Sequence, residues 1–444
     1  WVLLQNPGKS SSTVRLEFLT PGGEVGGPTV SVPPSSRLTV HVNEFVPNAD
    51  VSTAVLAVDG PPVCAERAMY FAGTSGKWGA HDSVGAQAVA DTWYLAEGAT
   101  WPGYDEWVLV MNPFNERVTA AVTFHTPQGE RSGPLLDLAP NSRQNVHVNE
   151  YVPDADVSAV VRCTSDGYGV VAERSVYVET PDGKAGCHNS VGSSELAGAW
   201  GLAEGATRPG YEEWVLVQNP TADPVRVELY FLTPAGAIRG PLEELPPGRR
   251  ASFRVNDYAP DRDVSTVVFT GSEDQKVVAE RAQYVSSPDG KRGSHCSLGS
   301  AYASRDWLLP EGCTLPGFEE WVLVMNPDRD APARFALTFM TPQGEIPGPE
   351  MELAPASRAS VRVNDYCACE VSTRVVSDGY VIAERAMYMD TPQGKRGATC
   401  SLGVPAAVLG GPPGSGADSV AGGRVLPVLH ASRLSPGASG PGLR

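Results

Sequence analysis

The sequence predicts an all-β protein made of four tandem immunoglobulin-like β-sandwich modules of about 107 residues, followed by a disordered C-terminal tail. Three observations predict this fold class. Related segments recur at a period that matches whole domains and is far too long for a solenoid. Within each segment, short runs rich in valine and aromatic residues alternate with proline and glycine turns. No segment has a convincing helical period.

The period is carried by a motif that recurs as WVLLQNP, WVLVMNP, WVLVQNP and WVLVMNP. These motifs begin at Trp1, Trp107, Trp214 and Trp321, which are 106, 107 and 107 residues apart. The sequence opens inside a repeat, so we expect residues before Trp1, and targeting signals cannot be judged. The predicted units are module 1 (1–90, truncated at its N-terminal side), module 2 (91–198), module 3 (199–304), module 4 (305–404) and the tail (405–444).

Each module is predicted to hold about eight short strands joined by tight turns. In module 2 the segment TPQG at Thr126–Gly129 has proline at the second and glycine at the fourth turn position, which favours a type I turn. The segment TPDGK at Thr180–Lys184 repeats this chemistry and joins the two last strands of the module. Eight strands of this kind favour a sandwich over a helical or mixed fold.

The junctions between modules have constant length and variable content. His81 to Trp93, His188 to Trp200 and His295 to Trp307 each span 12 residues. Constant length predicts a linkage whose geometry matters, with the modules stacked into a rod. The alternative is that insertions have simply not accumulated there.

The tail changes composition abruptly after Gly403. Residues 405–444 are rich in Gly, Pro, Ala and Ser, and their charged residues are mainly Arg. This composition is typical of disorder, although a frame slip in a GC-rich gene would produce it too.

The overall charge restricts the partners. The chain has 51 Asp and Glu against 34 Lys and Arg, a net charge of −17, which disfavours nucleic acid and anionic membranes. No apolar run is long enough for a membrane helix, so we expect no membrane insertion in this fragment.

Four strands carry an adjacent Glu-Arg pair in an otherwise apolar run, where a buried charge requires a partner. Neighbours in a strand point to opposite faces, so the two cannot pair with each other. We expect Glu173 to pair with an arginine of the Arg143 type, and Arg174 with a carboxylate of the Glu97 or Glu204 type. Such pairs would fix strand register rather than catalyse, because an array rarely needs four copies of one catalytic site. The proposed structural charges are Glu66, Arg67, Glu173, Arg174, Glu280, Arg281, Glu384 and Arg385, with Arg37, Arg143, Arg250 and Arg358 as partners.

Other motifs suggest sites that we disfavour. His81, Asp82 and Ser83 are consecutive, whereas a hydrolytic triad needs side chains from separate elements. No His or Cys spacing matches a zinc site, so no cofactor or metal is predicted. The loops with Asp50, Asp154 and Asp156, and Asp261 and Asp263 have alternating oxygen ligands that would suit calcium, but a solvated turn is the favoured interpretation.

Cysteines and tryptophans give further expectations. The eight Cys do not recur once per module, so no disulfide defines the fold; Cys367 and Cys369 are too close for an ordinary mutual bridge, and Cys313 and Cys400 are conceivable partners. Trp107, Trp214 and Trp321 are expected in the sandwich core. Trp78 and Trp101 lie outside the repeat and are candidates for ligand contact.

The recurrent order of WYLAEGAT, EWVLVMNP, SRLTVHVNEFVP, DVSTAV, VCAERAMYF and HDSVG resembles repeats of large secreted or cell-surface proteins of actinobacteria and related lineages. That domain family is uncharacterised. The resemblance covers residues 1–403 and implies an extracellular setting. Module 4 departs from it, since CAC replaces the aspartate loop and Thr399 replaces the recurrent histidine.

Together these features predict a non-enzymatic extracellular array that spaces or docks partners, such as glycans or other proteins, at a bacterial cell surface. Two alternatives remain open. The first is an array of carbohydrate- or cell-wall-binding modules. The second is an accessory region of a secreted hydrolase whose catalytic domain lies outside this sequence.

Overall fold

The computed structural model describes residues 1–72, 78–272, 274–409 and 424–425. The predicted all-β fold is confirmed: the described residues form antiparallel strands and five short 3-10 helices. In this described part no helix is long and apolar enough to cross a membrane. Most of the predicted disordered tail lies outside the described residues, apart from 405–409 and a two-residue strand.

The strands follow the repeat, with one 3-10 helix after the fourth long strand of each module. Module 1 contains β1 (Val2–Asn6), β2 (Ser12–Thr20), β3 (Gly23–Val32), β4 (Ser36–Val40), η1 (Val42–Glu44), β5 (Ser52–Asp59), β6 (Cys64–Ala72) and β7 (Trp78–Val84). Module 2 contains β8 (Thr92–Leu95), β9 (Tyr104–Asn112), β10 (Val118–Thr126), β11 (Gly129–Leu138), β12 (Ser142–His147), η2 (Val148–Glu150), β13 (Ser158–Cys163), β14 (Val171–Glu179) and β15 (Ala185–Val191).

Modules 3 and 4 repeat this order. Module 3 contains β16 (Ala199–Leu202), β17 (Tyr211–Asn219), β18 (Val225–Thr233), β19 (Gly236–Leu245), β20 (Arg249–Arg254), η3 (Val255–Asp257), β21 (Ser265–Thr270), β22 (Val278–Ser286) and β23 (Arg292–Leu298). Module 4 and the following residues contain β24 (Tyr302–Leu309), β25 (Phe318–Asn326), β26 (Ala333–Thr341), β27 (Gly344–Leu353), β28 (Ser357–Arg362), η4 (Val363–Asp365), β29 (Ser372–Asp390), β30 (Arg396–Leu402), β31 (Val404–Pro405), η5 (Ala406–Val408) and β32 (Arg424–Val425).

Each module is a sandwich of two antiparallel sheets, here called outer and inner. In module 2 the outer sheet has the order β11-β10-β13-β8 and the inner sheet the order β12-β9-β14-β15. Alternate side chains of both sheets meet between them, as Val108 and Val110 of β9 meet Phe124 of β10 and Val161 of β13. In module 4 the long strand β29 runs through both sheets.

The four modules form a closed ring, so the predicted rod is wrong. The last strand of each inner sheet packs against the last strand of the next module, in the cycle β7, β15, β23, β30 and back to β7. The backbones approach closely: a Cβ on Gly186 would lie 2.8 Å from Ser294 N, and one on Gly397 would lie 2.8 Å from Ala80 N. Glycine at these positions is what permits the contact. Module 4 therefore touches module 1, which a rod would keep apart.

Candidate functional site

The arginine of the Glu-Arg pair recurs at every interface between modules. On β14, Glu173 is paired in register with Leu109 and Arg174 with Val108, so the two side chains leave opposite faces of the inner sheet. The arginine points into its own sandwich, where a glutamate of the next module arrives. The glutamate points away from its own sandwich, towards the preceding module. Because these two side chains point to opposite faces, each copy of this strand contacts both the preceding module and the next one.

Arg174 forms the centre of the interface between modules 2 and 3. Its Nε lies 2.8 Å from Glu97 Oε2 of its own module, and its Nη1 lies 2.6 Å from Glu280 Oε2 of module 3. Its Nη2 donates to Cys296 Sγ at 3.0 Å. Arg174 and Glu280 are fully buried. The carboxylates of Glu97 and Glu280 therefore stabilise the positive charge of Arg174 in place of water.

The next two interfaces repeat this arrangement. Arg281 lies 2.7 Å from Glu384 and 3.4 Å from Glu204. Arg385 of module 4 lies 2.7 Å from Glu66 of module 1, and it closes the ring. It also lies 2.5 Å from Asp82 and 3.3 Å from Glu311.

The interface between modules 1 and 2 is more open. Arg67 lies 3.0 Å from Glu173 Oε2, and the two side chains are 23% and 25% exposed. Arg67 also contacts His81 Nδ1 at 3.4 Å. Among the described residues, Arg67 has no second carboxylate like the one that Glu97 gives to Arg174.

One of the two charge pairings expected from sequence is present and the other is not. Arg174 pairs with Glu97, as the sequence suggested. Glu173 does not pair with Arg143; instead it binds Arg67 of the preceding module. Arg143 donates to the backbone carbonyl of Val51 at 2.8 Å. The arginines of this type bind carbonyls of the preceding module: Arg250 binds Gly98 and Val157, Arg358 binds Gly205 and Val264, and Arg37 binds Gly312 and Val371 of module 4.

Burial dominates the electrostatics of these interfaces. Burial raises the pKa of Glu97 and Glu280, and the nearby Arg174 partly opposes that rise. Burial works against the charged form of Arg174, but Glu280 and Glu97 raise its pKa well above the usual value. Burial and Arg174 hold the pKa of His188 well below its usual range. The arginine therefore stays charged while the histidine stays neutral.

Two interfaces contain side chains of metal-binding types. Glu97, His188 and Cys296 bring one potential ligand atom each within 4.8 Å of one another, and Glu204, His295 and Cys400 repeat the group. This donor set would suit zinc. However, Arg174 and Arg281 already contact the carboxylate and the thiol of their groups, so the guanidinium supplies the positive charge that a metal would bring. At the other two interfaces Asn189 and Asp82 replace the cysteine.

A further set of buried carboxyl groups was missed in the sequence. Glu106, Glu213 and Glu320 are completely buried, and nearby arginines together with one backbone N–H each only partly offset the cost of burying their charge. Burial raises the pKa of Glu320 to about 8. The sequence signal was present: the residue before Trp107, Trp214 and Trp321 is glutamate each time, whereas the residue before that is Asp or Glu.

The structure places the repeated tryptophans differently from the sequence-based expectation. Trp107, Trp214 and Trp321 are half-buried on the outward face of the inner sheet, so their expected place in the sandwich core is wrong. Trp214 and Trp321 pack in apolar clusters between modules, and Trp107 stacks on His147 at 4.4 Å. The tryptophans buried in the cores are Trp93, Trp200 and Trp307.

The two tryptophans outside the repeat lie in different settings. Trp78 borders a cavity of about 310 Å³ between modules 1 and 2, beside residues 73–77, which are outside the described part. Trp101 is 46% exposed, and its indole nitrogen donates to Asp156 Oδ1 at 2.9 Å. Of these two tryptophans, Trp101 is therefore the one that presents an exposed aromatic face.

The remaining motifs are placed by their contacts. Asp82, the acidic residue of the HDSVG motif, forms an ion pair with Arg385 of module 4. This contact between modules explains an acidic residue at that position without a catalytic triad. Asp50 accepts from Asn145, and Asp156 accepts from Ser252, so these loop aspartates join neighbouring modules. All eight cysteines are free thiols, including those considered as bridge partners.

Comparisons with known proteins identify no family for this chain. No protein-family model matches it, and no curated protein matches it. Among solved structures it is similar to a protein of Thermotoga maritima at 18% identity and a TM-score of 0.21, over 23% of this chain and 95% of that one. It is similar to an Anabaena sensory rhodopsin transducer at 23% identity and a TM-score of 0.17, over 19% of this chain and 91% of that one. A tetra-tandem repeat from the extending region of a large adhesion protein gives 10% identity and a TM-score of 0.11, over 90% and 93% of the two chains. The resemblance to actinobacterial surface repeats therefore stays a prediction.

Proposed function

We propose that this protein is a non-enzymatic extracellular array that docks partners at a bacterial cell surface, with its modules held in one ring. The observation that carries this proposal is the division between buried and exposed repeated residues. The Glu-Arg pairs are used between modules, whereas each module leaves one aromatic residue exposed after its 3-10 helix. These residues are Phe45, Tyr151, Tyr258 and Tyr366, and each is 39–43% exposed.

The exposed aromatics have similar surroundings in all modules. Tyr151 packs against the buried Phe124 at a centroid distance of 5.9 Å, and Tyr366 packs against Phe339 at 5.4 Å. The preceding residue is acidic in every module. Four rigidly spaced aromatic and acidic surfaces favour multivalent docking, in which weak single contacts add up.

The interface chemistry supports a role without catalysis. The carboxylates, histidines and thiols with strongly shifted pKa values at the interfaces between modules 2, 3 and 4 are buried, so a substrate has no access to them. In some proteins buried ion pairs of this kind specify how two surfaces meet, and we assign them that role here.

The test is binding of the full chain to immobilised peptidoglycan, bacterial exopolysaccharides and plant glycans, and to partner proteins from the same surface. Replacing Tyr151, Tyr258 and Tyr366 by Ala one after another should weaken binding step by step. Leu135→Ala, at an exposed residue outside this repeated set, serves as the control. Cleavage of any of these polymers by the pure chain would contradict the proposal.

A carbohydrate-binding array is the second candidate, favoured by Trp101. Its exposed ring beside the Asp156 carboxylate combines an aromatic platform with a polar group, as sugar recognition requires. Loss of glycan binding in Trp101→Ala alone, with the tyrosine variants unaffected, would favour this candidate over multivalent docking.

A further inference from the structure

The loop that follows η4 in module 4 contains two partly exposed thiols, Cys367 and Cys369. All eight cysteines of the chain lie in the described part, and five of them are buried. The third partly exposed thiol is Cys163 of module 2, which lies 24 positions before the next cysteine, Cys187. The loop of module 4 therefore combines two accessible thiols that are separated by a single residue.

This loop is one residue shorter than its counterparts in the other modules. Five positions separate Tyr366 from Val371, whereas six separate Tyr151 from Val157. The longer loop of module 2 contains Asp154 at a φ of 51°, and the shorter loop has no residue with positive φ. The two cysteines therefore stand in a loop whose backbone path differs from that of the repeat.

The backbone path brings the two thiols together. In an extended strand the Cα atoms of residues i and i+2 are about 6.6 Å apart. That separation is near the upper end of the range of about 4.4–6.8 Å that a disulfide spans. The chain bends at Ala368 and Cys369, which shortens the separation. Both thiols pack against the apolar core cluster of module 4, so they lie on the same side of the loop.

Thr314, in the segment before β25, holds the loop in this shape. Its hydroxyl donates to the carbonyl of Cys367 at 2.8 Å and accepts from the backbone nitrogen of Cys369 at 3.0 Å. The same oxygen lies 3.5 Å from Cys367 Sγ. Burial and the hydrogen bond with Cys367 raise the pKa of the Cys369 thiol to about 12. Cys369 therefore keeps its proton and can donate it to a thiolate at Cys367.

The same loop belongs to the interface that closes the ring. Directly after the second thiol, Glu370 Oε2 accepts from Thr39 Oγ1 of module 1 at 3.1 Å. Arg37 of module 1 donates to the carbonyl of Val371 at 3.0 Å and to that of Gly312 at 2.6 Å. A movement of the second thiol therefore reaches contacts with module 1 within two residues.

We propose that Cys367 and Cys369 are a redox-active dithiol that closes to a disulfide by exchange with a low-molecular-weight disulfide and thereby loosens the interface between modules 4 and 1. In the first step the Cys367 thiolate, its proton lost to water, attacks the small disulfide, forms a mixed disulfide and releases one thiolate. Cys369 passes its proton to that thiolate, attacks the Cys367 sulfur and releases the second thiolate, which takes a proton from water. Two protein thiols are oxidised, and one small disulfide is reduced to two thiols.

Loosening follows from the change in loop shape. Closure shortens the contact between the two sulfurs from a hydrogen bond to a covalent bond of about 2.05 Å. We expect the loop to tighten around Ala368, so that the hydroxyl of Thr314 loses its two backbone contacts and Glu370 moves away from Thr39. The disulfide supplies no contact with module 1 in their place.

The experiment treats the full chain with hydroxyethyl disulfide, alkylates the remaining thiols and digests the protein with trypsin. Residues 363–374 form one tryptic peptide that contains both thiols. We expect this peptide to be recovered mainly without alkylation and two hydrogens lighter than its reduced form. The mixed disulfide should remain below about a tenth of this product, because the second thiol attacks within the same loop. In the same sample Cys163 should carry the mixed disulfide and form no bridge.

A variant and a second measurement test the two parts of the proposal. Cys369→Ser should make the mixed disulfide at Cys367 the main product, because the second attack is no longer possible. Hydrogen–deuterium exchange of residues 36–40 should become about fivefold faster on oxidation, the factor that loss of one hydrogen bond gives. The equivalent residues 249–254 of module 3 should not change. A chain with both cysteines replaced by Ser, treated in the same way, should show no change in either segment.

Two results would overturn the dithiol. The first is recovery of residues 363–374 with both thiols alkylated in a sample in which Cys163 has reacted. The second is a stable mixed disulfide on the parent chain at the level of Cys369→Ser. Disulfide formation with unchanged exchange over residues 36–40 would overturn the link to ring closure. These readouts come from the parent chain, so they remain decisive if a variant does not fold.

Discussion

Glu320→Gln should make the protein more stable at neutral pH while changing little in acid. The carboxyl group of Glu320 is completely buried on β25, and a backbone contact with Cys313 only partly offsets the cost of burying its charge. Burial raises its pKa from 4.5 to about 8, against the lowering effect of Arg385. The folded protein therefore holds a proton there that the unfolded chain releases at lower pH.

The sign and size follow from proton linkage. Because the pKa is raised in the folded state, the stability contribution is complete below pH 4.5 and is lost as the pH rises towards 8. Between these limits each pH unit costs about 1.36 kcal/mol of unfolding free energy. From about pH 5.5 to about pH 7.5 the expected loss is therefore about 2.7 kcal/mol. Glutamine keeps the shape and cannot ionise, so the variant should gain that amount relative to the parent over this range.

The assay is urea unfolding followed by tryptophan fluorescence at three pH values and constant ionic strength. Glu319→Gln is the matched control, because Glu319 pairs with Lys291 at 2.8 Å and its pKa is lowered. Its stability contribution is lost only as the pH falls through the folded pKa, so the difference from the parent should be constant above about pH 5.5. A constant difference for Glu320→Gln as well would mean that Glu320 is ionised in the fold, and the burial argument would fail.

Two further predictions concern the ring contacts. A Cβ on Gly293 would lie 2.5 Å from the backbone nitrogen of Ala398, so Gly293→Ala should lower the unfolding free energy by about 1–3 kcal/mol in urea titrations; Gly26→Ala, where nothing lies within 4 Å, should change it little. Arg281→Met should cost about 3–5 kcal/mol because it leaves Glu384 buried without its partner, and adding Glu384→Gln should recover part of that loss in a double-mutant cycle. Additive losses would show that the two side chains are not coupled.

The strands and the repeat were predictable because their signals are local. Turn residues and strand patterns depend only on neighbouring positions, and the period can be read directly from the spacing of the repeated motifs. The pairing of Arg174 with Glu97 was also accessible, since both residues recur and both need a partner. The partner of Glu173 was not accessible, because a period shows which positions are equivalent but not which copy provides the contact. Arg67, from the preceding copy, has the same sequence context as Arg174.

The position of Trp107 shows where pattern analysis was incomplete. A tryptophan at the head of a strand is often core in a single sandwich. In WVLVMN, however, both alternating faces are apolar, which is typical of a strand covered on both sides. Val108 and Val110 cover one side inside the sandwich, while the equivalents of Leu109 in modules 3 and 4, Leu216 and Leu323, are buried in the clusters between modules. The apolar residues on both faces of this strand therefore indicated a second buried surface, the one that contacts a neighbouring module.

The closed ring accounts for the additional carboxylate at the interface between modules 4 and 1. A head-to-tail contact that repeats either continues indefinitely or closes, and here it closes after four copies. Three of the interfaces join modules that are consecutive in the chain, so the linker holds their surfaces at high effective concentration. The interface between modules 4 and 1 has no such linker. It is there that Asp82 replaces the neutral Asn189, Cys296 and Cys400 of the other modules and gives Arg385 a third carboxylate. The additional ion pair between Asp82 and Arg385 therefore lies at the one interface whose two modules are not joined by a linker. Specific contacts matter most at this interface, because no linker holds its two surfaces together.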